Sequence, residues 1–500
     1  MMPTPLSRRD LLRGAPLALA WPGLSGAAPA RKPGFNVLFI AVDDLRPELG
    51  CYGNSVVHSP NIDRLAARGL VFERAYCQQA VCSPSRTSLL TGRRPDTTRI
   101  YELQTHFRKT LPDVVTLPEQ FKRNGYQSTG LGKIYHGGLN DPRSWSIPAW
   151  FPGQSGWGTP ENAEENRKTW ERLETTGLAN PRPDRAGRKR GPSWDAPDVA
   201  DNALNDGKTV DQALKAMNRL AAGPFFLAVG FQKPHLPFIA PKRYFDLYAK
   251  TTFRTAPNPF APKGAPEVAL HNSSELRSYG DIPKEGPIPD SKALELIRAY
   301  YAATSYTDAQ IGRLLDELDR LKLRDKTVVI LWGDHGWHLG EHGMWNKHSN
   351  FEVATRAPLI ISAPGQKSAG GKTAALVEFV DIYPSLCDLC GVPLDPGLEG
   401  ASFKPLLDDP SRPWKKAAFS QYPRGVPKVG QAMGYSMRTQ RYRYTEWVVA
   451  GKDWKEIELY DYEKDPAGNV NAARDPANAA LLRQLGEQLR QGWRAALPKT

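Results

Sequence analysis

From Phe35 onward the chain repeats one pattern: a short, largely apolar run gives way to an amphipathic helical stretch, and another apolar run follows. The runs are NVLFIAVDD (36–44), YQSTGLGK (126–133), FFLAVGFQKPH (225–235) and TVVILWGDHG (327–336). Near-continuous apolar runs suit strands buried on both faces, and their alternation with helices places them in a mostly parallel sheet. The intervening helices are legible from their ends. SPNIDRLAARG offers Ser59 as N-cap, Pro60 at the first helical position and Gly69 as a stop, and TLPEQFKRNG closes at Gly125. VDQALKAMNRL precedes the third run, and the long ALELIRAYYAATSYTDAQIGRLLDELDRL precedes the fourth. After about residue 410 the pattern changes to short strand-like runs, GYSMRTQ, YRYTEWV and IELYDYE, with a last helix from Ala479 to Trp493. The expected fold class is α/β: a large mixed, mostly parallel sheet flanked by helices, with a smaller C-terminal α+β subdomain containing an antiparallel sheet.

Each apolar run ends in polar residues that a buried strand does not need. Asp43 and Asp44 close the first, Lys133 and then His136 follow the second, His235 the third, and Asp334 with His335 the fourth. In open α/β sheets ligands bind outside the carboxyl ends of the strands, so these residues are expected to converge. Three aspartates in one crevice repel one another unless a cation neutralises them, and oxygen donors suit Ca²⁺ or Mg²⁺ better than zinc. The stretch DHGWHLGEHGMWNKH (334–348) holds four of the nine histidines. A zinc cluster there leaves the first aspartate pair and the lysines unexplained, so His338, His342 and His348 are assigned to loop packing or substrate contact. Cys82 opens CSPSR, where Pro84 can start a helix that turns Leu89 and Leu90 inward and stops at Gly92. A helix N-terminus favours an anion, and Arg86, one turn on, adds a guanidinium suited to paired oxygens. The same dipole suits a thiolate nucleophile, which stands as an alternative use of Cys82.

The remaining features bound the class. Residues 1–30, with Arg8 and Arg9 before Leu11 and Leu12 and small residues at Ala27 to Ala30, read as a twin-arginine export signal. Its apolar part is broken by Pro16 and Pro22 and is too short to span a bilayer; no other segment is long enough, so no membrane span is expected and the mature chain is expected to be periplasmic or secreted. A net charge of +13 favours an anionic partner. Nucleic acid is not expected, because the basic run RAGRKRG (185–191) has no interleaved aromatics and no accompanying nucleic-acid motif. Five cysteines leave one over from any pairing of Cys51, Cys77, Cys387 and Cys390 if Cys82 has a separate task. Cys387 and Cys390 lie on a helix ending at Gly391, with no second pair or histidine to suggest zinc or redox use. Residues 151–200 and 251–290 are long irregular stretches expected to act as lids or substrate walls.

Cys82-Ser83-Pro84-Ser85-Arg86, continuing through Leu90-Thr91-Gly92-Arg93, resembles the C-x-P-S-R…TGR signature of the type I sulfatases in the alkaline phosphatase superfamily. GRRPDTTRIY (92–101), GKIYH (132–136), FFLAVGFQKPHLPF (225–238) and GDHGWHLGEHGMWNK (333–347) look most like the iduronate-2-sulfatase branch. The resemblance implies an alkaline phosphatase-like fold, divided here into a signal (1–30), a catalytic domain (31–410) and the C-terminal subdomain (411–500). It implies that Cys82 is oxidised to formylglycine by a formylglycine-generating enzyme, and that the aldehyde hydrate is the nucleophile. One Ca²⁺ would be held by Asp43, Asp44, Asp334 and His335 with the residue derived from Cys82; many sulfatases have Asn where His335 stands. Arg86 and Lys133 would steady the hydrate and the sulfate, and His136 would be the base that takes the hydrate proton. His235 and Lys347 would bind sulfate oxygens and help protonate the leaving alcohol, the substrate being a sulfated saccharide. A phosphonate or phosphate monoester hydrolase of the same superfamily, a sulfoglycan-binding protein and a cysteine hydrolase are the alternatives.

Overall fold

The computed structural model describes residues 34–153, 158–164 and 191–498. Seven strands form the central sheet: β1 (Asn36–Val42), β2 (Leu70–Phe72), β3 (Gln127–Gly132), β4 (Phe225–Phe231), β5 (Thr327–Gly333), β6 (Leu359–Ser362) and β7 (Gly371–Thr373). They lie in the order β7-β2-β6-β5-β1-β4-β3. Only β6 runs against its neighbours; β3, β4, β1 and β5 are adjacent and all parallel. Those four are the apolar runs read from the sequence. Register aligns their carboxyl ends, with Val42 opposite both Phe231 and Gly333, and Gly132 opposite Gly230.

The sheet is covered on both faces, and β1 shows how. Its seven residues are all buried, and because side chains alternate along a strand they feed two cores. Val37, Phe39 and Ala41 pack with Leu89 and Leu90 of α2 (Cys82–Thr91), Phe121 of α3 (Leu117–Arg123) and Leu386 of α6 (Ile382–Cys390). Leu38, Ile40 and Val42 pack with Ile62 and Leu65 of α1 (Pro60–Ala66), Met217 of α4 (Asn205–Leu220) and Ile311 and Leu315 of α5 (Asp290–Arg320).

The helix ends depart from expectation in instructive ways. Pro60 does open α1, but the Ser59 side chain does not cap it; Ser59 Oγ accepts the Gly50 N–H at 2.9 Å. The free N–H groups of Asn61 and Ile62 go instead to the Asp308 carboxylate of α5, at 3.0 and 2.7 Å. Helix α2 starts at Cys82, two residues before Pro84, and ends as expected at Gly92, whose φ of 65° is the left-handed value glycine accepts. The final helix, α7 (Ala479–Ala496), runs past Trp493.

Beyond the central sheet, β8 (Ala418–Val426), β9 (Gly430–Arg438), β10 (Tyr442–Val449) and β11 (Lys455–Asp461) form an antiparallel sheet in sequence order. β8 was not legible beforehand, because Pro423 removes a ladder donor; it is an edge strand, where that loss is tolerated. It ties this sheet to the segment before Cys82, with Gln421 N donating to Gln78 O at 2.8 Å and Ser420 Oγ to Cys77 O at 2.6 Å. Both sheets lie in one compact unit, Pro33–Thr500. All five cysteines are unpaired. Among the described residues no helix is long and apolar enough to cross a membrane. The export signal, and the basic run except Gly191, lie outside the described residues, as does much of 151–200. The 251–290 stretch is irregular, with short helical turns at Glu267–Ala269 and Ser274–Arg277.

Candidate active site

The carboxyl ends of β1 and β5 place Asp43, Asp44, Asp334 and His335 side by side, all fully buried. Asp44 has a φ of 58°, a left-handed conformation that Asp tolerates better than most residues. The turn directs its N–H onto Asp334 Oδ1 at 3.0 Å and its carbonyl toward the Tyr300 hydroxyl, which donates at 2.7 Å. His335 faces its ring Nδ1 toward the Gly336 carbonyl at 2.9 Å, leaving Nε2 aimed at Asp44 Oδ1 at 3.3 Å, Asp334 Oδ1 at 3.5 Å and Cys82 Sγ at 3.4 Å. Thus Cys82, at the first position of α2, meets the acidic pairs from both strands. One potential donor atom each from Asp43, Asp44, Cys82 and His235 lie within 4.8 Å of one another, as do those of Cys82, Asp334 and His335. Three carboxylates, an imidazole and one further side chain fit a hard divalent cation; among the described residues the histidines of 338–348 form no comparable cluster.

Cations interleave with this acidic set. Arg86 is wholly buried, with Nε on Asp334 Oδ2 at 2.9 Å, one terminal nitrogen on Asp43 Oδ1 at 3.0 Å and the other on the carbonyls of Lys133 and, at 3.0 Å, Ile134. In this structure its fork is directed at protein groups and holds two carboxylates and the β3 end together. Lys133 Nζ donates to Asp43 Oδ2. Burial alone pushes a carboxyl up, but Lys133, His235 and Arg86 outweigh it at Asp43 and hold that group well below the usual range. Asp44 shows the reverse: burial wins over His235 and Lys347, and its carboxyl is raised. Burial, then repulsion from Asp43, push the Cys82 thiol well above its ordinary value.

The cavity outside these strand ends holds about 600 Å³ and is lined by Asp43, Lys133, His136, His235, Lys233 and Phe151 among others. His136 Nδ1 is buried without a protein partner. Burial, then the charge of Lys133, bring its pKa down to about 3, so the ring is neutral. His235 directs Nδ1 to the Leu236 carbonyl at 2.6 Å and Nε2 toward Glu275 Oε1 at 3.2 Å. Lys347 Nζ donates to both Asp44 oxygens at 3.1 Å and to Glu275 Oε1 at 3.0 Å, and lies 4.8 Å from the centre of the Trp337 ring.

Every site residue expected from the sequence is therefore found around one crevice. His338 and His342 pack instead, through Ser349 Oγ at 2.9 Å and the Ala467 carbonyl at 3.0 Å respectively. Two contributors were missed. Lys233, whose pKa burial brings down to about 8, braces the 231–238 turn by donating to the carbonyls of His235 at 3.0 Å and Pro237 at 2.7 Å. Glu275, in the loop expected only as a substrate wall, carries no strand-end signal at all.

Comparison with known proteins follows the same lines. The sulfatase family profile matches residues 35–392, and that of the N-sulphoglucosamine sulphohydrolase C-terminal region matches residues 340–494. Human iduronate 2-sulfatase is 36% identical, covering 97% of this chain and 100% of its own length. A sulfatase of Formosa agariphila is 32% identical over 93% of this chain and 86% of its own. Among solved structures, a protein in complex with its substrate D-glucosamine-2-N,6-O-disulfate aligns with a TM-score of 0.71 at 23% identity, covering 93% of this chain and 99% of that one. The phosphonate monoester hydrolase of Agrobacterium radiobacter aligns with a TM-score of 0.70 at 24% identity, covering 92% and 95%. These likenesses identify the alkaline phosphatase-like fold.

Proposed function

This chain belongs to the sulfatase family and is a sulfuric ester hydrolase, and from that premise we propose that it hydrolyses sulfate esters on a sulfated glycan, using formylglycine made from Cys82 and one bound Ca²⁺. The observation that carries the reading is the convergence of Asp43, Asp44, Asp334 and His335 on Cys82 at adjacent parallel strand ends, with Arg86, Lys133 and Lys347 beside them. The donor set of carboxylates, an imidazole and the Cys82-derived residue fits the metal. Asp43, Asp44, Asp334 and His335 would hold Ca²⁺, which would supply Lewis-acid polarisation, and the residue matured from Cys82 would supply the nucleophilic oxygen.

The remaining roles fall to this chain's own side chains. Arg86 fixes Asp43 and Asp334 in place, so the acidic ligands are preorganised before substrate arrives. Lys133 places positive charge in the cavity lining next to Asp43. His136 is assigned the proton of the hydrate, a reading supported by its neutral ring and unpartnered Nδ1 in the cavity. His235 and Lys347, which share Asp44 and Glu275 as partners, orient sulfate oxygens and deliver a proton to the departing alcohol in this reading. The net reaction consumes one water and yields the alcohol and inorganic sulfate.

The identity to iduronate 2-sulfatase supports a 2-sulfated uronic acid as the leading substrate. The proposal includes export by the twin-arginine route to the periplasm or beyond, and maturation by a formylglycine-generating enzyme. The test is sulfate release from defined saccharides by protein coexpressed with that enzyme, with conversion of Cys82 checked by peptide mass. Release from 2-sulfated uronates in preference to 6-sulfated hexosamines and sulfated algal sugars is expected. Cleavage of an aryl phosphate or phosphonate with no sulfate release overturns the substrate class.

A further inference from the structure

Glu275 comes from neither strand end, yet its carboxylate meets His235 and Lys347 beside the site. It sits on the short turn Ser274–Arg277, and that turn is pinned to the 345–348 segment: Trp345 N donates to Ser273 Oγ at 2.9 Å, and Leu276 N to Asn346 Oδ1 at 3.3 Å. One oxygen, Oε1, is shared between Lys347 Nζ at 3.0 Å and His235 Nε2 at 3.2 Å. The other, Oε2, is buried without a hydrogen-bond partner, with His348 Nδ1 at 3.9 Å. A buried carboxylate oxygen left unpaired is costly unless the arrangement serves something else.

The two groups that Glu275 touches arrive from different directions, His235 after β4 and Lys347 after β5. Both reach the same two carboxylates, Asp44 and Glu275. Asp44 belongs to the acidic metal-site set, so Glu275 is the tether outside that set between His235 and Lys347.

We propose that Glu275 is a positioning residue that holds His235 and Lys347 at the spacing needed to handle the sulfate group, and that its charge weakens the hold of those two donors on a free anion. The inference rests on the sulfatase reading of the site. The carboxylate and a sulfate compete for the same two donors, so Glu275 keeps the pair aligned while limiting how tightly product sulfate remains bound. It also links the 251–290 wall directly to the reacting groups, so loop and chemistry are coupled through one side chain.

The test compares Glu275→Gln, Glu275→Ala and Glu275→Asp in the full matured chain. It uses turnover of an aryl sulfate and calorimetric binding of inorganic sulfate, with thermal melting as the check on folding. Glu275→Ala should lower kcat by about 100-fold, the scale of an ångström-sized misplacement. Glu275→Gln, which keeps one acceptor of the same reach, should lower it less. Both neutral variants should bind inorganic sulfate more tightly, by about tenfold for loss of one nearby negative charge, while Glu275→Asp should keep the wild-type sulfate affinity with a reduced kcat. Tighter product binding alongside slower turnover is not what loosened packing produces. Unchanged kcat and unchanged sulfate affinity in Glu275→Gln and Glu275→Ala overturn the proposal. So does weaker sulfate binding together with a lowered melting temperature, which assigns Glu275 to structure alone. Failure of the wild-type protein to turn over any sulfate ester is a separate result that counts against the proposed function.

Discussion

Arg86→Lys keeps a positive charge at the centre of the site and removes only its shape. The guanidinium reaches two carboxylates and two carbonyls, on Asp43, Asp334, Lys133 and Ile134, from a side chain with no solvent exposure. An ammonium presents its donors from a single point and cannot span that set. If it serves two of the four partners, two buried acceptors are left unmet, at about 1–3 kcal/mol each, so stability should fall by about 2–6 kcal/mol. Set against a typical net stability of about 5–15 kcal/mol, the variant should still fold, but its urea midpoint should drop clearly. Arg86→Leu goes further: it takes the guanidinium from buried Asp334 and leaves Asp43 with Lys133 alone of its two basic partners, a loss of about 3–5 kcal/mol before the carbonyls are counted, and should fail to accumulate as folded protein. The assay is urea unfolding followed by tryptophan fluorescence on chelator-treated protein, with sulfate release measured in parallel on matured, Ca²⁺-loaded protein. A Lys variant with the wild-type midpoint and wild-type turnover refutes the claim that the planar fork organises the carboxylates.

Other outcomes follow from single contacts. Cys82→Ser should leave the melting temperature within a degree or two, since it exchanges one small buried side chain for another, and should nearly abolish sulfate release; a Ser variant with wild-type turnover rules out the formylglycine mechanism. Burial holds His271, His338 and His342 below the ordinary histidine value. They are neutral in the fold but protonate in the unfolded chain below about pH 6.5, so their stabilising effect is present above that pH and is lost as pH falls, by up to about 1.4 kcal/mol per pH unit for each. Melting temperature measured from pH 8 to 5 should decline below about 6.5, and His342→Gln should flatten that decline; a pH-independent melting temperature contradicts the assignment. Asp308→Ala removes the carboxylate that receives the first N–H groups of α1 and should cost about 1–2 kcal/mol in urea unfolding without altering turnover.

The parts of the site that sequence reveals are those set by local rules. A strand buried on both faces tolerates little polarity, so Asp43-Asp44 after NVLFIAV and Asp334-His335 after TVVILWG stand out, and parallel pairing then brings them together without any knowledge of loops. Cys82 is visible because Pro84 and Gly92 bracket a helix whose first turn is polar where a buried cysteine would sit among apolar neighbours. What remains hidden depends on contacts between segments with no shared pattern. The sequence suggested Ser59 for the start of α1, yet Asp308, 247 residues from Asn61, receives its N–H groups because α5 passes alongside. Arg86 reads as an anion ligand from its place at a helix N-terminus, but the strand ends close around it and engage its donors. Glu275 lies in a loop without periodicity, and only the packing of that loop on 345–348 brings its carboxylate to His235 and Lys347. Pro423 masks β8 because a proline argues against a strand until its edge position is known.

The most direct test of the central claim compares two preparations of this chain that differ only in maturation, one with Cys82 converted to formylglycine and one left as thiol, with the converted fraction quantified by peptide mass. With Ca²⁺ present, sulfate released per molecule from an aryl sulfate should rise in proportion to the converted fraction and fall to background in the unconverted protein. Equal turnover by both preparations, or release of phosphate from an aryl phosphate with no release of sulfate, would contradict the account.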